Sequence, residues 1–212
     1  MPRSDVTRAR AAERLVSAAR IALGSGRGVS AELVADICEQ SGVATSAFRG
    51  FFPDDDALLD AVGQRLVDEC ATRLRSAVDG FDPGGAGDPT AGDPLDAAGL
   101  LLARAWPLDR GGLLIRAERR LRALTDARSG DAAAAVEREF VDRLVPILSD
   151  LMTAVGRRFT WAPKLAVRVI IDTYERSFET WLLTGNDEED FADSPYARRT
   201  LPALLRETSA PV

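Results

Sequence analysis

Histidine is absent from this 212-residue chain, and lysine occurs once among 27 basic residues, at Lys164. Without histidine the chain has no imidazole general base and no Ser-His-Asp triad, and it lacks the side chain that most often binds metal ions. Cys38 and Cys70 are too few for a disulfide scaffold. We interpret them as buried reduced thiols, with a redox switch between them as the alternative. The sequence also has no phosphate-binding loop. We therefore expect no cofactor and disfavour a helical enzyme.

Long apolar runs are missing too. No stretch reaches the roughly 18 apolar residues that a membrane-spanning helix needs. The first 15 residues are charged throughout and lack the apolar core of a secretory signal, so we expect a cytoplasmic protein with no membrane partner. The net charge of −6 disfavours a protein that coats DNA non-specifically. It is compatible with a site-specific DNA reader, because only the docking face of such a protein must be basic.

Helical periodicity dominates the sequence, and no run alternates as a strand would, so we predict an all-α fold. A segment at 80–94, rich in Gly, Pro and Asp, is predicted to be a flexible linker. Pro146 is expected to kink the helix that contains it. The predicted helices span residues 6–23, 30–40, 45–51, 54–78, 94–105, 107–127, 131–158, 163–184 and 195–207.

Near the N-terminus, three short helices with a glycine turn between the second and third form the layout of a helix-turn-helix DNA reader. Gly42 supplies the left-handed turn, and Val43 is expected to pack inward behind it. The third helix should then present small and hydrogen-bonding side chains to a major groove, and the first helix should offer arginines to flanking phosphates. The predicted DNA-binding residues are Arg8, Arg10, Ala44, Thr45, Ser46 and Arg49.

The same segment resembles the TetR family of one-component repressors. The resemblance rests on the spacing of Ala18-Ala19, Ile37, Ser41-Gly42-Val43, Phe52 and Ala57-Leu58-Leu59. It implies an N-terminal three-helix helix-turn-helix domain at 1–53 and a C-terminal helical ligand-binding and dimerisation bundle at 54–212. It also implies a homodimeric repressor that binds a palindromic operator and is released by a small effector.

Two departures from the family pattern concern DNA binding. Arg49 stands where the family usually has a tyrosine, and Asp55 stands where it usually has a lysine. We expect Arg49 to supply a charged phosphate contact and Asp55 to oppose the DNA backbone. Residues 1–56 contain seven arginines and eight acidic residues, which gives −1. The alternative is therefore a TetR-like helical protein that has lost DNA binding and acts through ligand or protein contacts.

The C-terminal half concentrates the large side chains. We expect them to line an apolar cavity for a small apolar effector, with ordinary core packing as the alternative. Arg116 and Glu118 could orient a polar group of that ligand, with a solvated helix face as the alternative. The predicted ligand-binding residues are Trp106, Arg116, Phe140, Met152, Tyr174, Phe178 and Trp181.

The last two long helices, at 163–184 and 195–207, carry more apolar surface than one flank of a small domain can bury. Val169 and Leu204 are examples. In the family, such helices pair with those of a second copy as a four-helix bundle. A two-fold dimer would also supply the two recognition helices that a palindromic operator requires.

Overall fold

The computed structural model describes residues 3–82, 93–106 and 108–212, except for the side chains of 3–5 and 127–129. Most of the predicted linker at 80–94 lies outside the described residues. The all-α prediction is confirmed. The helices are α1 Arg3–Gly24, α2 Ala31–Ser41, α3 Thr45–Phe48, α4 Asp55–Asp79, α5 Pro94–Ala105, α6 Arg110–Thr125, α7 Ala127–Ala154, α8 Pro163–Leu183 and α9 Leu201–Glu207, with a 3-10 helix at Glu188–Asp193 and a π-helix at Tyr196–Thr200.

The chain divides into two compact units. The first unit comprises Met1–Asp68 and Leu108–Glu137, and the second comprises Glu69–Pro107 and Arg138–Val212. Helices α4 and α7 each contribute residues to both units, whereas all of α6 belongs to the first. The functional division that the sequence places after residue 53 stays a prediction.

The core of the first unit is built on one face of α1. Leu15 and Ala19 on that face have no exposed surface. They belong to one buried cluster with Leu33 and Ile37 of α2 and Phe48 of α3. Ala19 has only a methyl side chain, which leaves room for larger neighbours in a close-packed core. The helical spacing of Leu15 and Ala19 thus puts both on the buried face of α1.

Local contacts begin and end α2, whose bounds lie within one residue of the predicted 30–40. The Ser30 Oγ accepts a hydrogen bond from the Leu33 N–H at 3.2 Å, which caps the helix start. Gly42 follows the last turn with φ 66° and ψ 31°, the left-handed conformation that glycine adopts at low cost. Val43 is partly buried against the core cluster, which confirms that it packs inward. Cys38 and Cys70 of α4 are both buried and are not joined by a disulfide.

Both ends of α6 are tied to other helices of the first unit. At its start, Asp109 accepts a hydrogen bond from the Gly112 N–H at 2.6 Å. The same carboxylate receives two contacts from the Arg20 guanidinium of α1, at 2.7 and 2.8 Å. Further along α6, Arg119 pairs with Asp60 of α4 at 2.9 Å, and its side chain is 4% exposed. Helix α6 is therefore held to both α1 and α4.

The second unit packs α5, α8 and α9 together with the short 3-10 and π-helices. Gly99 of α5 lies against the ring of Pro202 in α9, where a methyl group would approach the Pro202 Cγ to 2.7 Å. A two-stranded antiparallel sheet closes the unit. Strand β1 (Arg157–Phe159) pairs with β2 (Ser209–Pro211) in a register that places Arg158 opposite Ala210.

Several predicted elements need correction. Helix α3 ends at Phe48 rather than at 51, because the Phe51 and Phe52 N–H groups both return to the Phe48 carbonyl in a turn. The helix predicted for 131–158 begins earlier and ends at Ala154, and Gly156 then turns the chain with φ 70°. The strand pair that follows was not predicted. The last predicted helix begins as a π-helix and continues as α9.

The turn at Gly42 can be tested with a matched glycine. The Gly42→Ala substitution has open space but puts a side chain in the left-handed region, so it should lower the free energy of unfolding by about 1–2 kcal/mol. The Gly28→Ala substitution also has open space but no positive φ, so it should be neutral or stabilise the chain by up to about 1 kcal/mol. Urea unfolding followed by circular dichroism measures both. Equal effects of the two substitutions would contradict this account of the turn.

Candidate nucleic-acid interface and aromatic cluster

The exposed side of α3 matches the one predicted for DNA contact. Ala44, Thr45 and Ser46 are exposed, whereas Phe48 is 1% exposed and faces the core. Ala44 precedes the helix with an extended backbone, φ −62° and ψ 136°. The burial of Phe48 thus turns the small residues of α3 outward, where they leave room for close approach to base edges.

Arg8 is exposed on α1 and is held against the loop that follows α3. Its Nη2 donates a hydrogen bond to the Gly50 carbonyl, and its Cζ lies 4.8 Å from the centroid of the Phe51 ring. These contacts restrict the side chain without neutralising its charge. Arg10, a neighbour on the same helix, is also exposed. Both arginines therefore present positive charge on the surface of the first unit.

Arg49 follows α3 and is paired within the chain. Its Nη2 lies 3.1 Å from the Asp55 Oδ1, and its Cζ lies 5.7 Å from the centroid of the Phe48 ring. The sequence interpretation treated Arg49 and Asp55 as two separate contacts to DNA. The structure joins them across the turn at Pro53, so the negative charge of Asp55 acts first on Arg49. The neighbouring Asp54 caps α4, accepting a hydrogen bond from the Ala57 N–H at 2.8 Å.

Arg116 differs from the other predicted ligand-binding residues. Its side chain is 4% exposed and pairs with Glu137 at 2.8 Å, so the interpretation as a solvated face is wrong for this residue. It belongs to the first unit, whereas the other six candidates belong to the second. Its partner lies 21 residues further along the chain, and no local sequence pattern indicates that pairing.

Three of the predicted ligand-binding residues form the centre of an aromatic cluster in the second unit. Trp106 stacks on Tyr174 with their ring centroids 4.6 Å apart and an interplanar angle of 26°. Phe178 lies 6.3 Å from Tyr174 by the same measure. All three residues are at most 4% exposed. Phe140 and Met152 of α7 are each 1% exposed.

Two further members of this cluster were missed from the sequence. Phe191 lies edge-on to Tyr174 at 5.2 Å and also contacts Trp181, whose ring centroid is 6.1 Å away. Tyr196 lies 6.0 Å from Tyr174 and stacks on Phe191 at 5.6 Å. Phe191 comes from the acidic stretch after α8, whose sequence is typical of a loop, and Tyr196 comes from the start of the helix predicted for 195–207. We define the aromatic cluster as Trp106, Tyr174, Phe178, Trp181, Phe191 and Tyr196.

A groove of about 260 Å³ opens beside the aromatic cluster. Trp181, Phe191 and Tyr196 form its aromatic wall. The hydroxyls of Thr180 and Thr184 also line it, but both donate to carbonyls of their own helix, at 2.8 and 3.0 Å. The groove thus has one aromatic wall, and Arg176, Ser177 and Ser194 add polar side chains to the rest of its lining.

Metal sites and membrane-spanning helices are both absent from the described part of the chain. Among those residues, no group of three or more His, Cys, Asp or Glu side chains is arranged to hold a metal ion. Within the same ranges, no helix combines the length and the apolar character that crossing a membrane requires.

Comparison with known proteins identifies the fold. No protein-family model matches the chain, and no curated protein is similar to it in sequence. A solved structure described as a TetR-family transcriptional regulator from Mesorhizobium loti is 17% identical, with a TM-score of 0.65 over 98% of this chain and 97% of that one. Another so described, from a Rhodococcus species, is 20% identical, with a TM-score of 0.66 over 95% and 100%.

A third solved structure, RolR in complex with resorcinol, is 20% identical, with a TM-score of 0.56 over 96% of this chain and 90% of that one. These matches extend through both compact units, which explains why the likeness is visible in structure at identities too low for a sequence search. The chain has the all-α fold of TetR-family transcriptional regulators, with a helix-turn-helix segment at its N-terminal end.

Proposed function

We propose that this protein is a TetR-like transcriptional regulator of the cytoplasm, a homodimeric repressor that a small apolar effector releases from a palindromic operator. The observation that carries the proposal is the exposed face of α3. That face presents Ala44, Thr45 and Ser46 behind a left-handed glycine turn, on a fold shared with regulators over nearly the whole chain. No catalytic reaction forms part of the proposal.

In this proposal α3 enters the major groove and the arginines bind the flanking backbone. The hydroxyls of Thr45 and Ser46 would donate to bases or phosphates, and Ala44 would allow close approach. Arg8 and Arg10 would contact phosphates beside the groove. Arg8 is favoured for this because its contacts with the Gly50 carbonyl and the Phe51 ring already orient its side chain.

Release by an effector would act through the helices common to both units. Helices α4 and α7 each run from one compact unit into the other. A ligand that binds more tightly to one arrangement of these helices would shift the population towards that arrangement. RolR, whose structure contains the small aromatic compound resorcinol, supports an effector of similar size here. The aromatic cluster and its groove are the proposed effector site.

A second candidate function is a TetR-like protein that no longer binds DNA and acts through ligand or protein contacts. The pairing of Arg49 with Asp55 favours it, because the cation nearest to the exposed face of α3 already has a carboxylate partner. Specific binding to an operator separates the two candidates.

Operator binding is the direct test. We expect the full-length protein to bind the DNA upstream of its own gene in a fluorescence anisotropy assay, with unlabelled non-specific DNA as competitor. Joint replacement of Thr45 and Ser46 by alanine should weaken specific binding about 10- to 100-fold. Thr125→Ala serves as the control. Thr125 is the last residue of α6, outside α3, and its hydroxyl donates a hydrogen bond to the Leu121 carbonyl. Failure of the wild-type protein to bind any upstream fragment in preference to competitor DNA would favour the second candidate.

The Arg49–Asp55 pair should show in the salt dependence of DNA binding. Asp55→Asn frees the Arg49 guanidinium for a phosphate, so affinity should rise and the salt slope should steepen by about one unit. Arg49→Ala should weaken binding to all sequences and flatten the slope. Asp150→Asn is the matched control, since it removes an ion-paired aspartate of the second unit, 2.6 Å from Arg75. An unchanged affinity and slope for Asp55→Asn would mean that the pair does not act on DNA.

The homodimer can be tested on α8. Leu165 is 53% exposed at its start, and Val169 is half-buried one turn later. We expect sedimentation to show a dimer for the wild-type chain and a monomer or an aggregate for the joint Leu165→Glu and Val169→Glu variant. Leu124→Glu is the control, because Leu124 is 85% exposed on α6 of the first unit. A stable wild-type monomer at micromolar concentration would rule out the dimer.

A further inference from the structure

Two hydrogen-bond donors of the aromatic cluster are buried without an acceptor. The Trp106 Nε1–H and the Tyr196 O–H have no hydrogen-bond partner among the described residues. Trp106 is 4% exposed and Tyr196 is 8% exposed. Buried Trp and Tyr side chains usually place their polar ends on a partner, and a donor buried without one destabilises the fold. Such groups in a native fold therefore point to a partner that the chain itself does not supply.

Both donors belong to rings that pack on Tyr174. The Trp106 ring stacks on the Tyr174 ring, and the Tyr196 ring packs edge-on against Tyr174 with an interplanar angle of 79°. The Tyr174 hydroxyl does not serve them, because it donates towards the Ala103 carbonyl over a long 3.5 Å. Burial raises the pKa of the Tyr196 hydroxyl above its usual range, so this group stays protonated and remains a donor near neutral pH. The aromatic cluster thus has two buried N–H or O–H groups that could each donate a hydrogen bond to a ligand.

The segment that carries Tyr196 is irregular. It follows α8 as a 3-10 helix, Glu188–Asp193, and continues as a π-helix, Tyr196–Thr200. Single π-turns are rare and occur frequently at functional sites. Phe191 and Tyr196 of this segment form part of the groove beside the cluster, so the irregular backbone borders both the groove and a buried donor. The π-helix and the unpartnered Tyr196 hydroxyl are two separate features of the same short segment.

We propose that the effector is a small aromatic molecule with an oxygen acceptor, which binds in this groove and receives a hydrogen bond from the Tyr196 hydroxyl. This inference rests on the proposed function and names the chemistry of its effector. Aromatic walls with a few placed polar groups are typical of small-molecule sites. The groove of about 260 Å³ limits the ligand to one or two rings. A site built to donate hydrogen bonds discriminates against an analogue that cannot accept them.

Two probes of nearly equal shape test the acceptor. Acetophenone carries a carbonyl oxygen, and α-methylstyrene has a CH₂ group in its place. Binding to the full-length protein without DNA is measured by tryptophan quenching and by calorimetry. The wild-type protein should prefer acetophenone about 5- to 30-fold. Tyr196→Phe removes only the hydroxyl, so it should lose most of that preference while leaving the affinity for α-methylstyrene unchanged.

Control variants distinguish a specific acceptor site from a general loss of packing. Trp161→Phe should keep the preference, because Trp161 is 42% exposed and has no place in the cluster. The melting temperature of Tyr196→Phe should not fall, since the lost hydroxyl has no protein partner among the described residues. A lowered melting temperature with an unchanged preference would overturn the inference, as would wild-type binding of neither probe or of both equally.

Operator binding without ligand is measured separately. It distinguishes a failure of the acceptor inference from a failure of the proposed function in transcription. A protein that binds its operator but shows no preference between the probes would keep the proposed function and lose this inference. A protein that prefers acetophenone but binds no operator would keep the acceptor site and lose the role in transcription.

Discussion

The buried face of α1 is the contact on which the rest of the first unit depends. Leu15 and Ala19 provide the surface on which α2 packs, and Phe48 brings α3 into the same core. Helix α3 has four residues, too few to be stable in isolation, because the first turn of a helix fixes many dihedrals for one hydrogen bond. Its orientation therefore comes from Phe48 and from the turn at Gly42. The outward direction of the small residues between them is a consequence of core packing.

The charges beside that face are arranged within the chain before any DNA is present. Arg8 is held by a carbonyl and an aromatic ring, and neither contact cancels its charge. Arg49 is held by Asp55, and this carboxylate offsets the positive charge of Arg49. A guanidinium has five N–H donors, so a paired arginine keeps donors for a second acceptor, but the carboxylate competes for it. On the proposed function, operator affinity depends on shape and on the avidity of two linked copies more than on net positive charge.

Local signals were readable in the sequence, and non-local pairings were not. The Gly42 turn was predicted, and the predicted starts of α2 and α4 lie within one residue of the observed ones, where the structure shows caps at Ser30 and Asp54. The β1–β2 pair joins segments about 50 residues apart, and three-residue strands carry no periodicity. Tyr196 was missed because its role depends on contacts with Tyr174 and Phe191, which its position at the start of a predicted helix does not indicate. The fold and the exposed face of α3 were predictable, whereas the members of the aromatic cluster were only partly so.

On the proposed function, the position of α6 bears on how an effector signal could reach α3. Asp109 caps α6 and at the same time binds Arg20 of α1, so the start of α6 cannot move without breaking two kinds of contact. Arg119 is held further along by Asp60, and its guanidinium lies where a side chain at Gly63 would be. Helix α6 is thus fastened within the first unit. Helices α4 and α7 continue into the second unit, so on the proposed function they are helical connections through which a change at the aromatic cluster could alter α3.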